Sequence, residues 1–580
     1  MKLAEALRIV QTPQPPNAEK FSVYLACGIF PLHLSTFLAA HLRTCLPDRT
    51  IEIHTGLYGD LTGNLAELQK SSPQAGAVIV EWSDLDPRLG LRRLGGWGPS
   101  VLPDIQTGVH RETELLLHLI EDAAQSTPLA VCLPTIPLPP IFNQPSQQFG
   151  LEHLQLETTL NDFAVRAAQI TGVKILNRQR LDAVSLPSER LDVQSELSTG
   201  FPYRTAHASR VAELLAGLIQ PRQPKKGLIT DLDDTLWRGL LDELGARGVS
   251  WELDQRSHIH ALYQQLLQAL SESGILLGVA SKNEPGLVAE ALARQDLLLK
   301  ANRIFPVEVN WGLKSQSVGR ILAAWNIGAD AVVFVDDSPM ELAEVKSIYP
   351  AMECLRFPTN LEQEAYNLLR ELRDLFGRQA ILEEDQIRTA SVRSGSQFHQ
   401  QTQSEAAQPL EDFLGQVKAE LTVGLVPSAK EPRAFELVNK TNQFNLNGRR
   451  LDDAEFEAAL NRAGAVSLLV SYQDKYGPLG RIAVLLGQLE SSVLKLDTWV
   501  MSCRAFSRQI EHRCLQYLFE SLDVSEIELE FRQTPRNRPI CEFLANFADT
   551  ESTTPIRIQR DIFMSRKPRL SHKINEVSYA

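Results

Sequence analysis

Short apolar runs separated by helical patterns recur along the whole chain. From Phe21 to about Gln220 the runs Ser22 to Ala26, Ala77 to Val80, Leu129 to Cys132 and Val173 to Leu176 alternate with segments of helical period. That alternation predicts a parallel α/β sheet. The prolines of LPTIPLPPIF (133–142) mark a loop after the third run, whereas IQPRQPKK (219–226) sets two prolines and basic residues ahead of a new apolar run and predicts a domain break. A second α/β unit extends from Gly227 to Gly377, with strands at Gly227 to Thr230, Ile275 to Ala280 and Ala331 to Val335. Between the first two, Ile259, Leu262, Leu266 and Leu270 share one face of a helix that stops at Ser273-Gly274. SVRSGSQFHQQTQSEAAQP (391–409) reads as an exposed polar linker, and beyond it Ser467 to Ser471, Ile482 to Leu486 and Leu494 to Val500 are strands interleaved with helices. The pattern therefore predicts a multi-domain α/β protein: domains at 1–220, 227–377 and 410–580, with a linker at 378–409.

Composition narrows the function classes. A chain of 580 residues is too long for one core, and 43% hydrophobic with 22% charged residues excludes a disordered or fibrous class. A net charge of -13 leaves no basic footprint for nucleic acid and would repel anionic membranes. The seven cysteines form no C-x-x-C pair, as expected of reduced thiols rather than a disulfide frame or zinc site. The first twenty residues are broken by prolines before a signal-peptide core can form, and no run has the apolar length of a membrane span, so the expected compartment is the cytoplasm. The twelve histidines make no H-E-x-x-H pattern, and His258 and His260 stand two apart on a helix, off a common face.

The densest chemistry lies in GLITDLDDTLWRG (227–239), where an apolar strand runs straight into carboxylates. Ligands collect at the carboxyl ends of strands in such sheets, and residues two apart point to one side. Asp231 and Asp233 then face one site, and their mutual repulsion calls for a cation, naturally Mg²⁺. Asp231 is the candidate nucleophile; Asp233 is the candidate acid that protonates the leaving oxygen and then activates water. Thr235, then Ser281 after the run ILLGVA, with Lys282 and Asn283 beside it, are candidate phosphate-binding groups. Lys314, in NWGLKSQS, neutralises charge on the transferring group. Asp336 and Asp337, after AVVFV, add carboxylates to the metal set of Asp231 and Asp233, with Asp336 the better direct ligand. A lone D-x-D-x-T is more often a loop or helix cap; its recurrence with Ser, Lys and an Asp pair at the ends of later segments makes the constellation specific.

The motifs DLDDTLW, SKNEP, NWGLKS and VDDSP resemble the four motifs of the haloacid dehalogenase superfamily, and their wording resembles its FkbH-like branch, subfamily IIIC, over nearly the whole chain. The resemblance implies that Asp231, Asp233, Ser281, Lys314 and Asp336 are the nucleophile, acid/base, phosphate-binding and metal positions, with Mg²⁺ as cofactor. The stretch from Thr235 to Ile275 is too short to hold a large cap domain. Members of the branch are associated with polyketide-like assembly lines, where some take a glyceryl unit from 1,3-bisphosphoglycerate and load it on an acyl carrier protein. A small phosphorylated substrate and an acyl carrier protein are thus the implied partners. Many members carry Cys just before the motif-two serine. Here that residue is Ala280, so a covalent glyceryl-enzyme has no thiol at this place. A non-catalytic carrier-protein adaptor and an acyltransferase working through the third domain are the alternative readings.

The third region, with FELVNKTNQFNLNGRR, DKYGPLGRIAVLLG and TWVMSCRAFSRQIEHRCLQYL, resembles the acetyltransferase-like part of that family. There a strand, a loop with Arg504 and Arg508, and a helix from about Gln509 make a candidate coenzyme A or pantetheine cradle, although Ser507 and Gln509 stand where glycines would let backbone approach phosphate. Lys440, Asn442 and Asn445 are either a hydrogen-bonded turn or a ligand-contact cluster. The first region is similar to SGNH-hydrolase-like N-terminal domains, yet its first strand ends Ala26-Cys27-Gly28 with no serine. It is expected to be non-catalytic, with Cys27 in the core and His207 a surface or capping residue.

Overall fold

The strands Gly227–Thr230, Leu276–Ser281 and Val332–Asp336 are buried at every position. Uninterrupted apolar runs of this kind form strands covered on both faces, which is the environment of a parallel sheet between helices. The computed structural model describes the chain apart from residues 14–17, 95–97, 141–146, 222, 360, 379–380, 382–384, 386, 395–416, 427–430, 476, 503–504, 507, 548–554 and 578–580. It comprises two compact units, Met1–Gln223 and Pro224–Ala580.

The first unit is built on β1 (Glu19–Cys27), β2 (Arg49–Thr55), β3 (Ala75–Ile79), β4 (Leu129–Cys132) and β5 (Val173–Ile175). They form an all-parallel sheet in the order β2-β1-β3-β4-β5. Separate apolar clusters cover its two faces.

The second unit contains two sheets. β6 (Gly227–Thr230), β7 (Leu276–Ser281), β8 (Ile304–Val309), β9 (Val332–Asp336) and β10 (Glu353–Arg356) form a parallel sheet in the order β10-β9-β6-β7-β8. The chain first winds outward through β7 and β8, then returns to the other side of β6. The crevice between β6 and β9 is therefore the topological switch point, where ligands of such sheets bind. Between β6 and β7 lies only a short excursion with a bridge from Arg238 to Ser250 and the one-turn helix Leu241–Leu244. The helix His258–Glu272 follows, and its buried face holds His260, Tyr263, Gln264, Leu267 and Leu270 rather than the expected Ile259-Leu262-Leu266-Leu270 stripe. The stripe is rotated because His260 and Gln264 bond the carbonyls of Thr235 and Leu236, at 2.9 Å each.

The remaining strands are β11 (Glu420–Gly424), β12 (Phe444–Asn445), β13 (Ala465–Asp474), β14 (Gly477–Glu490), β15 (Val493–Met501), β16 (Glu526–Leu529), β17 (Ile556–Gln559) and β18 (Lys573–Val577). They form a mixed sheet in the order β17-β16-β15-β14-β13-β11-β18, with β12 alongside β15. The linker reading of 378–409, with its polar stretch at 391–409, is corrected at its start: Asp385 is 2% exposed and pairs with Arg378 and Arg388 at 2.8 and 2.5 Å. Residues 391–394 are helical, Val392 is buried in the core beneath β6 and β9, and Arg393 donates to the carbonyls of Asn302 and Ile304 at 3.2 and 3.3 Å. Residues 395–409 of that linker lie outside the described residues. Among the described residues no helix is long and apolar enough to cross a membrane.

Candidate active site

Three strand ends and two helix starts converge at the switch point. Asp231 follows β6 directly, its N–H bonded to the Val335 carbonyl at 2.9 Å. Ser281 and Asp336 are the last residues of β7 and β9. Lys314 opens the helix Lys314–Trp325, and the helix Pro339–Ile348 starts from Ser338, an N-cap whose hydroxyl accepts the Glu341 N–H. Serine as N-cap with proline at the first helical position is a strong start signal, and it brings Glu341 into the site.

Lys314 is the hub. Its side chain is 2% exposed, and Nζ lies 2.7 Å from Asp231 Oδ1, 2.9 Å from Asp336 Oδ2 and 3.0 Å from Glu341 Oε2. The approach to Asp231 Oδ1 is ionic rather than a directed hydrogen bond, and that oxygen has no other donor. Lys282 reaches Glu341 Oε1 at 2.8 Å. Asp336 Oδ1 accepts from Ser338 N at 2.8 Å. Burial and the neighbouring Asp231 charge push the Asp336 carboxyl up, partly offset by Lys314. Burial, Asp231 and Asp234 push Asp337 up to about 6. Burial would likewise raise Glu341, but Lys314 and Lys282 hold it below its ordinary range. Three carboxyl groups are thus gathered around Lys314, with Glu341 the one that the two lysines hold ionised.

Asp233 is held differently. Trp237 Nε1 donates to its Oδ1 at 2.9 Å, and Leu241 N and Asn283 Nδ2 donate to its Oδ2 at 3.1 and 3.0 Å. Burial raises its carboxyl and these donors partly counter the rise. The loop that carries it turns at Asp234, in the left-handed region at φ 49°, where the Asp234 side chain accepts the Gly239 N–H at 2.8 Å. Aspartate tolerates that conformation better than most residues.

Asp231, Asp336 and Glu341 are the carboxylates whose oxygens lie within 4.8 Å of one another, so they form the candidate metal group among the described residues. Asp233 and Asp337, read from the sequence as ligands, are not in it; the Asp233 carboxylate is committed to its three donors. Glu341 was not read from the sequence. Of the expected phosphate-binding groups, Ser281 and Asn283 sit together beside Asp233, with Asn283 Nδ2 at 3.5 Å from Ser281 Oγ. Thr235 Oγ1 is buried without a hydrogen-bond partner, as a polar group awaiting a ligand would be; Asn283 Oδ1 is also unpaired but, as an acceptor, cannot bind a phosphoryl oxygen. Lys282 is turned to Glu341 instead. The donor set is all oxygen, and its three carboxylates outnumber the two lysines that face them, which fits Mg²⁺.

The other candidates that lie among the described residues have structural partners. Arg508 is buried at 1% exposure with its Nε 3.3 Å from Asp474 Oδ2, so it is not a surface contact for coenzyme A. Arg504 lies outside the described residues. Lys440 pairs with Glu436 at 3.1 Å, Asn442 Oδ1 accepts from Arg450, and Asn445 Oδ1 accepts from Asn447 N and Gly448 N at 3.3 and 2.8 Å; this is the hydrogen-bonded turn. Burial and Asp84 push the Cys27 thiol up to about 12, which leaves it un-ionised.

The reading of His207 as a surface or capping residue is corrected. It is 1% exposed on the helix Thr205–Ile219, with Thr135 Oγ1 and Ser185 Oγ each 2.9 Å from its ring nitrogens. Burial and Arg190 depress its pKa to about 3. A histidine depressed in the fold stabilises fully above its unfolded pKa of about 6.5 and loses that contribution as pH falls towards the folded value. Amide protection factors in β4 and the His207 helix, corrected for the intrinsic pH dependence of exchange, are therefore expected to fall between pH 7 and pH 5, and factors that stay constant in peptide-resolved measurements would contradict this assignment.

No family model matches the chain, and no curated protein does. Among solved structures, it is similar to the N-terminal part of protein BF1531 from Bacteroides fragilis, which contains a phosphatase domain and was crystallised with Mg: 18% identity, 66% of this chain and 100% of that one, TM-score 0.51. That likeness is one of fold. The ribosomal-protein-S18-alanine N-acetyltransferase from Escherichia coli matches 24% of this chain and 90% of its own at 12% identity and TM-score 0.18, too slight to assign a fold.

Proposed function

We propose that residues 227–341 form a Mg²⁺-dependent phosphoryl-transfer centre of the haloacid dehalogenase type, a phosphatase or phosphotransferase acting on a small phosphorylated acyl unit. The observation that carries this reading is the position of Asp231 at the switch point, 2.7 Å from the buried Lys314 ammonium, with Asp233 held by three donors two residues on.

Asp231 and Asp336, with Glu341 beside them, would hold Mg²⁺, which when bound neutralises and orients the phosphoryl oxygens. Asp231 attacks phosphorus; the new O–P bond forms as the bond to the leaving oxygen breaks, and the proton on Asp233 passes to that oxygen. Its raised carboxyl suits it to carry that proton. Asp233 then takes a proton from the water that attacks the aspartyl-phosphate, and phosphate leaves with Asp231 restored. Lys314 and Ser281 offer donors to the phosphoryl oxygens throughout, while Asn283 holds Asp233 in place.

The finer reading is that the unit is a phosphoglyceryl type delivered to an acyl carrier protein. The motif likeness and the capless site support it. Ala280 is fully buried in the core, so a thiol acceptor would have to be the carrier's own. One incubation tests both levels: the full chain, Mg²⁺, 1,3-bisphosphoglycerate and a panel of carrier proteins. Phosphate release that stops on chelation is expected, with a glyceryl mass on one carrier. Absence of phosphate release from this or any other acyl phosphate sinks the broader reading, and release without a carrier adduct sinks the finer one.

A further inference from the structure

The sheet of the third domain has a notch beside β15. β15 and β16 run parallel and pair from Val493 with Glu526 to Leu496 with Leu529. On its other side β15 stays paired with β14 as far as Met501. Past Leu496 the β16 edge no longer follows. A diverging parallel pair leaves backbone donors and acceptors that an extended, amide-bearing ligand takes up by strand addition. The pantetheine arm of a coenzyme A thioester, an extended chain with two amides, has that chemistry.

In this chain the notch is filled from within. β12 pairs antiparallel with the free edge, Phe444 opposite Met501 and Asn445 opposite Val500. Leu446 N donates to the Trp499 carbonyl at 2.9 Å, and Asn447 Nδ2 to the Asp497 carbonyl at 2.9 Å. From the far side, Arg532 N donates to the Leu446 carbonyl at 3.1 Å. Asn537, fully buried, donates through Nδ2 to the Asn445 carbonyl at 3.0 Å. Phe444 and Leu446 belong to the domain core, and the Phe444 ring lies 5.4 Å from Trp499 and 6.2 Å from Phe543. A ligand entering here has to displace both the backbone pairing and two core side chains. Among the described residues of the loop before the next helix, Arg508 is buried beside Asp474.

We propose that residues 444–447 are a permanent, self-supplied strand that closes the third domain to coenzyme A thioesters. This stands independently of the phosphoryl-transfer reading. The test uses the full chain, titrated calorimetrically with coenzyme A and with acetyl-coenzyme A, while amide exchange is followed at Leu446 and Arg532. The expected result is no saturable binding up to about 1 mM, with both amides exchanging as slowly as their neighbours in β14 and β15. Saturable binding below that concentration overturns the proposal. So does rapid exchange at Leu446 and Arg532, which would make the segment a lid rather than a strand.

Discussion

Replacing Asp231 by asparagine is expected to reduce phosphate release at least about a thousandfold while leaving the fold intact. The amide keeps the shape of the side chain but lacks the charge and nucleophilicity needed to form the phosphoaspartate. Lys314 still faces Asp336 and Glu341, at 2.9 and 3.0 Å, so the variant does not strand a buried cation. The Asp231 charge also helps to push Asp336 up, and its removal relieves that repulsion. Thermal stability in the absence of metal should therefore be unchanged or higher, as expected where a site is built for chemistry at the expense of stability. Steady-state phosphate release and calorimetric unfolding of the two proteins check both halves. Full activity in the variant would remove Asp231 from the mechanism.

The second large effect is on folding. Lys314→Met leaves Asp231, Asp336 and Glu341 facing one another around an apolar side chain. Removing one partner of a buried ion pair typically costs about 3–5 kcal/mol, because the remaining charges are left uncompensated. The sign of the pH dependence follows from the carboxylates. Without Lys314, burial and mutual repulsion raise them above their unfolded values, so their protonated forms are favoured in the fold. The deficit should be largest near neutral pH and shrink as pH falls towards 5. Urea unfolding read by peptide-resolved exchange in β6 and β9 would test this, and a deficit independent of pH would mean that lost packing, not charge, is responsible.

The sequence made the centre of this site legible and its edges less so. β4 and β6 match their predicted runs, and β7 and β9 fall within one residue of theirs, because strands buried on both faces read as continuous apolar stretches. β2, β8 and β10 were missed. All three lie at or next to a sheet edge, with half-buried patterns, and β8 is interrupted by Pro306. β12 has two residues and no periodicity to detect. Asp231, Ser281 and Asp336 were identifiable because they end apolar runs. Glu341 was not, since it is one acid among several in an ordinary helix; its signal was the Ser338-Pro339 start that turns that helix towards the site. Asp233 was read as both acid and metal ligand; the Trp237 indole that fixes its carboxylate, four residues on, is a tertiary detail that spacing does not encode.

The short excursion between β6 and β7, which inserts no cap domain after Asp231, has a kinetic meaning. If a phosphoaspartate forms there, no inserted cap has to open before water attacks it, and hydrolysis sets a clock on the intermediate. Any other acceptor must then win a race by being positioned rather than by being concentrated, since a group held in line has an effective molarity far above that of a freely diffusing one. For such a capless centre, the choice between hydrolase and transferase rests with whatever docks beside it before the clock runs out.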